Sequence, residues 1–297
     1  MSNTLLYIGY PKTGSTYLQE WFSKHPAIHY NGKTIGGFGN AWDIEKYAQN
    51  PDAHHDYYVL KCSAIGMRGI VDDTAESAYT IQRIYAYQDK LANTLFKLFP
   101  EGKILLITRG FSSMLSSAWS EYIVSGGLLS FDEFYKQYSQ GIVASYNYDR
   151  IVRLFREVFG ERNVIALPYE LLRDEPLEYL STLEDRLGIS QHFSLTKEKR
   201  NASPDAKYLE ATLRVSNSLH RLLKPFSYSF QRNVYGYYIH FLNKKKNHAA
   251  VKYLSGFIKT GAIVNVSEEK LKPFIGNANV LKSEAVYQPY LKEYLIT

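Results

Sequence analysis

The sequence holds a single cysteine, Cys62, so no internal disulfide can form and stability has to come from packing. It also lacks any run of about 18 consecutive apolar residues, the minimum for a membrane-spanning helix. The N-terminus shows no charged segment leading into an apolar core, and strand-forming residues begin at Thr4. Together these absences predict a soluble, cytoplasmic protein. No His, Cys, Asp or Glu cluster has metal-ligand spacing, and the adjacent His54 and His55 read as solvated loop residues, so no metal is expected. No linker rich in Gly, Ser or Pro divides the chain, and no internal repeat is found. What is abundant is tyrosine, with 26 copies, which suits a surface that meets sugars and equally suits aromatic packing. The net charge of +6 favours anionic ligands, but the basic residues are too dispersed for a nucleic-acid footprint.

The 297 residues are enough to bury a large core. Short apolar runs at 4–10, 57–65, 103–109 and 163–170 read as strands, with a further short strand at 27–30. Leu18, Trp21, Phe22 and His25 fall at helical spacing after Gly14, and a long helix over 76–99 is stopped by Pro100. Residues 31–56, rich in Gly, Asn and Asp, read mostly as loop. After the strand at 163–170, Asp174 is the expected N-cap, Pro176 lies in the first turn and Gly188 is the C-cap. Strands alternating with helices imply an α/β protein with right-handed crossovers and a central parallel sheet. Beyond about 190 the pattern turns helical, over roughly 205–224, 249–258 and 267–283. The expected organisation is one domain over 1–297, with an α/β core at 1–190 and a helical extension at 191–297.

The stretch "YIGYPKTGSTYLQEWF", residues 7–22, is almost a P-loop, G-x-x-x-x-G-K-[ST]. Gly9 and Gly14 have the right spacing, but Ser15 stands where the lysine belongs and a lysine stands upstream, at Lys12. A strand, a glycine turn and a helix start gather backbone N–H groups at the positive end of a helix, where an anion binds. Thr13, Gly14, Ser15, Thr16 and Tyr17 supply those donors on this reading. The missing lysine argues against a nucleoside triphosphate, and the strand at 103–109 ends in Thr108-Arg109 with no Asp for magnesium.

The segment "YPKTGSTYLQEWFSKHP" resembles the 5′-phosphosulfate loop of sulfotransferases that use 3′-phosphoadenosine-5′-phosphosulfate (PAPS), closest to the bacterial and glycan-modifying types. "LLITRGFSSMLSSAWSEY" resembles that family's 3′-phosphate motif, with Arg109 at a strand end and Ser117 eight residues on; Ser113 or Ser116 could substitute. The family more often writes R-[DN]-P here, whereas this chain has Arg109-Gly110-Phe111. An arginine fork and a hydroxyl two turns into the next helix can grip one phosphate together. "LPYELLRDEP" is similar to the family's YE-x-L-x-x-DP segment, whose role is structural. "KRNASPD" resembles a downstream R-x-N-x-S stretch, in which Arg200 is a second cation for the 3′-phosphate or the substrate. Lys61, in "YVLKCS", stands where glycan sulfotransferases often carry a lysine facing the acceptor or the sulfate.

The resemblance implies a three-layer, P-loop NTPase-like fold whose nucleotide-binding core is 1–190, PAPS as co-substrate without a metal, and sulfuryl transfer to a hydroxyl or amine on a carbohydrate-like acceptor. Lys12 would then stabilise charge on the bridging oxygen. A hydroxyl acceptor wants a general base, for which Asp43 and His29 are the candidates and Glu121 a further one. The alternatives are a magnesium-dependent P-loop kinase and a non-catalytic nucleotide-binding relative. The aromatic stretch "PFSYSFQRNVYGYYIHFL", 225–242, is expected to form an acceptor wall or a dimer contact, being too interrupted for a membrane-surface helix. The run "NKKKNH" reads as a solvated or membrane-proximal patch, so peripheral membrane contact stays open. No nucleic-acid partner is expected.

Overall fold

Five short apolar segments become the strands of one parallel sheet. The computed structural model describes residues 3–35, 55–62, 81–195, 204–243 and 248–297. The strands are β1 (Asn3–Gly9), β2 (Ile28–Ile35), β3 (Tyr57–Cys62), β4 (Lys103–Thr108) and β5 (Val164–Pro168), ordered β2-β3-β1-β4-β5. All four pairings are parallel, with Tyr7 level with Lys61 on one side and Leu105 on the other. Leu5, Leu6, Ile8 and Ile104–Ile107 are buried, because helices cover both faces of such a sheet.

The helices are α1 (Ser15–Lys24), α2 (Ile81–Leu98), α3 (Phe111–Val124), α4 (Phe131–Ser145), α5 (Tyr148–Phe159), α6 (Tyr169–Asp174) and α7 (Pro176–Leu187). They continue as α8 (Ala206–Leu223), α9 (Tyr228–Asn243), α10 (His248–Ser255) and the short α11 (Glu268–Leu271). The chain forms two compact units: residues 1–114, 140–201 and 268–297 make the first, and residues 115–139 and 202–267 the second. The first unit contains the whole sheet. In the second, Ala211, Leu242 and Val251 form a small core with Tyr208, Tyr238 and Ile258 against it.

Three details differ from the sequence reading. The strand expected at 27–30 runs on to Ile35 with an irregularity between Tyr30 and Thr34, because an edge strand tolerates a bulge over Asn31-Gly32. Asp174 closes α6 instead of capping α7, since Pro176 forces its predecessor, Glu175, out of helical geometry and makes Glu175 the cap. The helix expected at 267–283 is one turn of α-helix followed by 3₁₀ turns at Lys272–Phe274, Asn279–Ser283 and Ala285–Tyr290. Pro273, Gly276 and Pro289 interrupt any longer α-helix there. Gly188 does close α7, at φ +76°, with its amide donating to the Asp185 carbonyl.

Candidate active site

The loop after β1 turns sharply because two of its residues take left-handed backbone conformations, Lys12 at φ 62° and Gly14 at φ 75°. Thr13 between them is buried and its Oγ1 donates to the Tyr10 carbonyl at 2.7 Å. A side chain at position 14 would put Cβ 2.5 Å from Leu172 Cδ2, so glycine serves both the conformation and the close approach. Helix α1 then starts at Ser15 with no side-chain cap and no acidic residue in its first turn. The Gly14 carbonyl accepts from the amides of Tyr17 and Leu18, and the Ser15 and Thr16 amides form the helix's positive end.

Across the sheet, Arg109 leaves β4. Its Nη1 donates to the Lys12 carbonyl at 2.6 Å and its Nε to Ser113 Oγ at 3.0 Å, while the guanidinium lies 4.6 Å from the Tyr169 ring centroid. Tyr148 clamps the Arg109 backbone, its hydroxyl donating to the carbonyl at 2.8 Å and accepting from the amide at 3.1 Å. The strand order makes this place special. The chain leaves β1 towards β2 on one flank and leaves β4 towards β5 on the other, so the ends of β1 and β4 bound the topological switch point of the sheet. The Arg109–Lys12 hydrogen bond spans that crevice.

The turn after Arg109 is held by residues distant in sequence. The Gly110 amide donates to Glu170 Oε1 at 2.9 Å, and the Phe111 amide to the Glu293 carbonyl at 2.9 Å. A Cβ on residue 110 would lie 2.7 Å from Glu293 Cβ, which explains a glycine at this position. Glu170 is fully buried, and its second oxygen accepts from the Tyr294 hydroxyl at 2.8 Å. Thr108 Oγ1 shares hydrogen bonds with the hydroxyls of Tyr287 and Tyr294, at 2.8 and 2.9 Å. On the loop side, Tyr10 stacks on Tyr146, meets Tyr148 edge-on and donates to the Ser145 carbonyl. Burial pushes the phenols of Tyr10, Tyr148 and Tyr294 well above their ordinary range, so all three stay protonated donors. Much of the tyrosine excess is thus packing and tethering beneath the site.

The other expected site residues are spread more widely. Lys61 is 7% exposed, its Nζ 6.0 Å from the Tyr7 ring centroid, with no ion pair among the described residues; burial pulls its basicity down. The Tyr7 phenol is itself buried, which pushes it above its ordinary range while the Thr13 side chain opposes the shift. His29 is level with Thr4, at the start of the strands, five residues or about 17 Å of strand from the loop end. The structure therefore does not bring His29 to the loop; its ring packs by His55 and Tyr58 instead. Ser117 and Glu121 sit on the part of α3 that belongs to the second unit, Ser117 half-buried. Asp43 and Arg200 lie outside the described residues. Sequence reasoning passed over Tyr148, Glu293 and Tyr294, and gave Glu170 no site role. Glu170 alone carried a signal, as the acid of the "YE" segment directly after a buried strand.

Residues 5–193, which include this crevice and its tethers from Tyr148 and Glu170, match the sulfotransferase family model. The chain belongs to the sulfotransferase family. Among solved structures, this family member is similar to a sulfotransferase from Alicyclobacillus acidocaldarius, at 16% identity and a TM-score of 0.47, over 78% of this chain and 99% of that one. It is also similar to the mouse sulfotransferase SULT7A1 in complex with PAP, at 13% identity and a TM-score of 0.45, over 99% of this chain and 89% of that one. No curated protein sequence matches it significantly.

Proposed function

We propose that this member of the sulfotransferase family moves a sulfuryl group from PAPS to a hydroxyl or amine on a carbohydrate-like acceptor. The observation that carries the reading is the loop Lys12–Thr16 opening a helix at the switch point, hydrogen-bonded across it to Arg109. The residues fit such a donor: an uncapped helix end for the 5′-phosphosulfate, and a guanidinium paired with a serine hydroxyl for the 3′-phosphate. In the reaction the acceptor atom bonds to sulfur, the bond from sulfur to the phosphate oxygen breaks, and adenosine 3′,5′-bisphosphate departs with the electron pair. Lys12 and the Ser15 and Thr16 amides stabilise the charge that grows on that oxygen. Thr13, Gly14 and Tyr17 keep the loop in shape, Arg109 with Ser113 or Ser117 takes the 3′-phosphate, and Arg200 is a further cation for it. Lys61 faces the acceptor side, and the acceptor's proton goes to a base, for which Asp43 and Glu121 stay candidates once His29 is set aside by its distance from the loop. The organisation is one sulfotransferase domain with a helical C-terminal extension.

Thermal unfolding with adenosine 3′,5′-bisphosphate, against ATP with Mg²⁺ at equal concentration, tests this. At about 100 times Kd a ligand adds about 2.7 kcal/mol, a shift of several degrees. The bisphosphate is expected to raise the midpoint. Lys12→Ala is expected to keep the fold and the shift in large part while losing transfer by at least ~100-fold. A shift with the magnesium nucleotide alone makes the protein a kinase, and no shift with either makes it a non-catalytic relative.

A further inference from the structure

Helix α9 of the second unit is aromatic on the side away from its own core. Its inward side is accounted for: Tyr235 donates to the Gly126 carbonyl at 2.6 Å, Tyr238 shares a hydrogen bond with Ser216 at 2.9 Å, and Leu242 is buried. Phe226, just ahead of the helix, with Phe230, Tyr237 and Phe241 on it, recur at spacings of four, seven and four residues, which keep one helical face. They are 53%, 47%, 78% and 42% exposed. Helix α10 and the turn after it repeat the arrangement, Val251 and Ser255 being buried while Tyr253 and Phe257 are 71% and 70% exposed. A lone exposed aromatic needs no explanation, but a repeated outward stripe does.

The charge of the same segment is just as one-sided. From residue 211 to 267 the chain contains no Asp or Glu, and nine Lys and Arg. Five of the basic residues, Arg221, Lys224, Arg232, Lys252 and Lys259, are exposed and make no ion pair among the described residues. A second copy of the chain would set two acid-free segments against each other, which like-charge repulsion opposes. Rings beside unpaired cations match a different surface, one with an anionic outer layer over an apolar interior. We infer that the second unit docks on an anionic lipid bilayer, its aromatic side chains entering the headgroup boundary and its Lys and Arg meeting the acidic headgroups. The docking does not depend on the chemistry of the donor site.

Co-sedimentation of the full chain with vesicles of neutral phosphatidylcholine, and of the same lipid with a third phosphatidylglycerol, tests this. Binding is expected to the anionic vesicles alone and to weaken as salt is raised. Two exposed-site variants, Lys224→Glu with Arg232→Glu, and Phe230→Ser with Tyr237→Ser, are compared after their melting points are matched to wild type. The charge variant is expected to lower partitioning by at least ~20-fold, and the aromatic variant to weaken it on the same vesicles. Equal binding to both vesicle types, binding untouched by either variant, or no vesicle binding with a concentration-dependent dimer each overturns the inference. Capture by an oligonucleotide in place of vesicles also overturns it.

Discussion

At the scale of single residues, Lys61 is the most exacting position. Its ammonium is buried beside the Tyr7 ring with no carboxylate partner among the described residues, and burial lowers its basicity. A buried cation without a carboxylate partner costs stability, and proteins keep such groups where chemistry needs them. Lys61→Met should therefore raise stability by about 1 kcal/mol in denaturant melts while lowering turnover. Because the folded value lies below the unfolded one near 10.5, the unfolded chain holds more protons between the two. Stability then rises with pH in that window, and the methionine variant should lose that rise. A variant with unchanged turnover would make Lys61 a packing residue. Lys12, Gly14 and Arg109 were legible in the sequence because each sits at a fixed offset from an apolar strand. Glu293 and Tyr294 were not, since their partners are 111, 170 and 108, and no local pattern records such a contact.

At the scale of elements, Glu184 on α7 ties together the end of α1 and the segment after α7. Its Oε1 accepts from the Phe193 amide at 2.8 Å and meets His25 Nε2 at 3.3 Å, while Oε2 meets His192 Nδ1 at 2.6 Å. His25 Nδ1 accepts from the Ala27 amide, so the proton is on Nε2 and the ring is neutral. Burial lowers the His25 value, although Glu184 opposes the shift; for exposed His192 the same carboxylate raises it. The His25 contribution is present above the unfolded value near 6.5 and lost as pH falls below it. That of His192 is present below 6.5 and lost as pH rises through its folded value. This pair gives a stability maximum close to pH 6.5, and His192→Gln should flatten the alkaline side alone in urea midpoints measured against pH. Strands and main helices of the first unit were readable from apolar runs and helical spacing. The ends were less so: Pro176 moved a cap by one residue, and Pro273, Gly276 and Pro289 broke a pattern that looked helical into 3₁₀ turns. On α9 the aromatic residues are on both sides of one continuous helix, and that made the sequence look interrupted.

At the scale of the whole chain, the crevice is closed from far away. Tyr294 donates to Glu170 and shares a hydrogen bond with Thr108, 124 and 186 residues distant. Tyr294→Phe leaves a buried carboxylate oxygen without its donor, so a loss of about 1–3 kcal/mol is expected in urea unfolding. Affinity for adenosine 3′,5′-bisphosphate should fall in the same variant, because the Gly110 turn then rests on Glu170 with one tether fewer. Full affinity at reduced stability would show that the turn holds its shape unaided. The same long reach sets a schedule on the ribosome. The five strands are all made by residue 168, long before Tyr287, Glu293 and Tyr294 emerge. A nascent chain thus carries the sequence of all five strands before the residues that tether its arginine turn. Until those turns dock, the apolar surface they cover stays open to aggregation, and the arginine turn takes its final shape late.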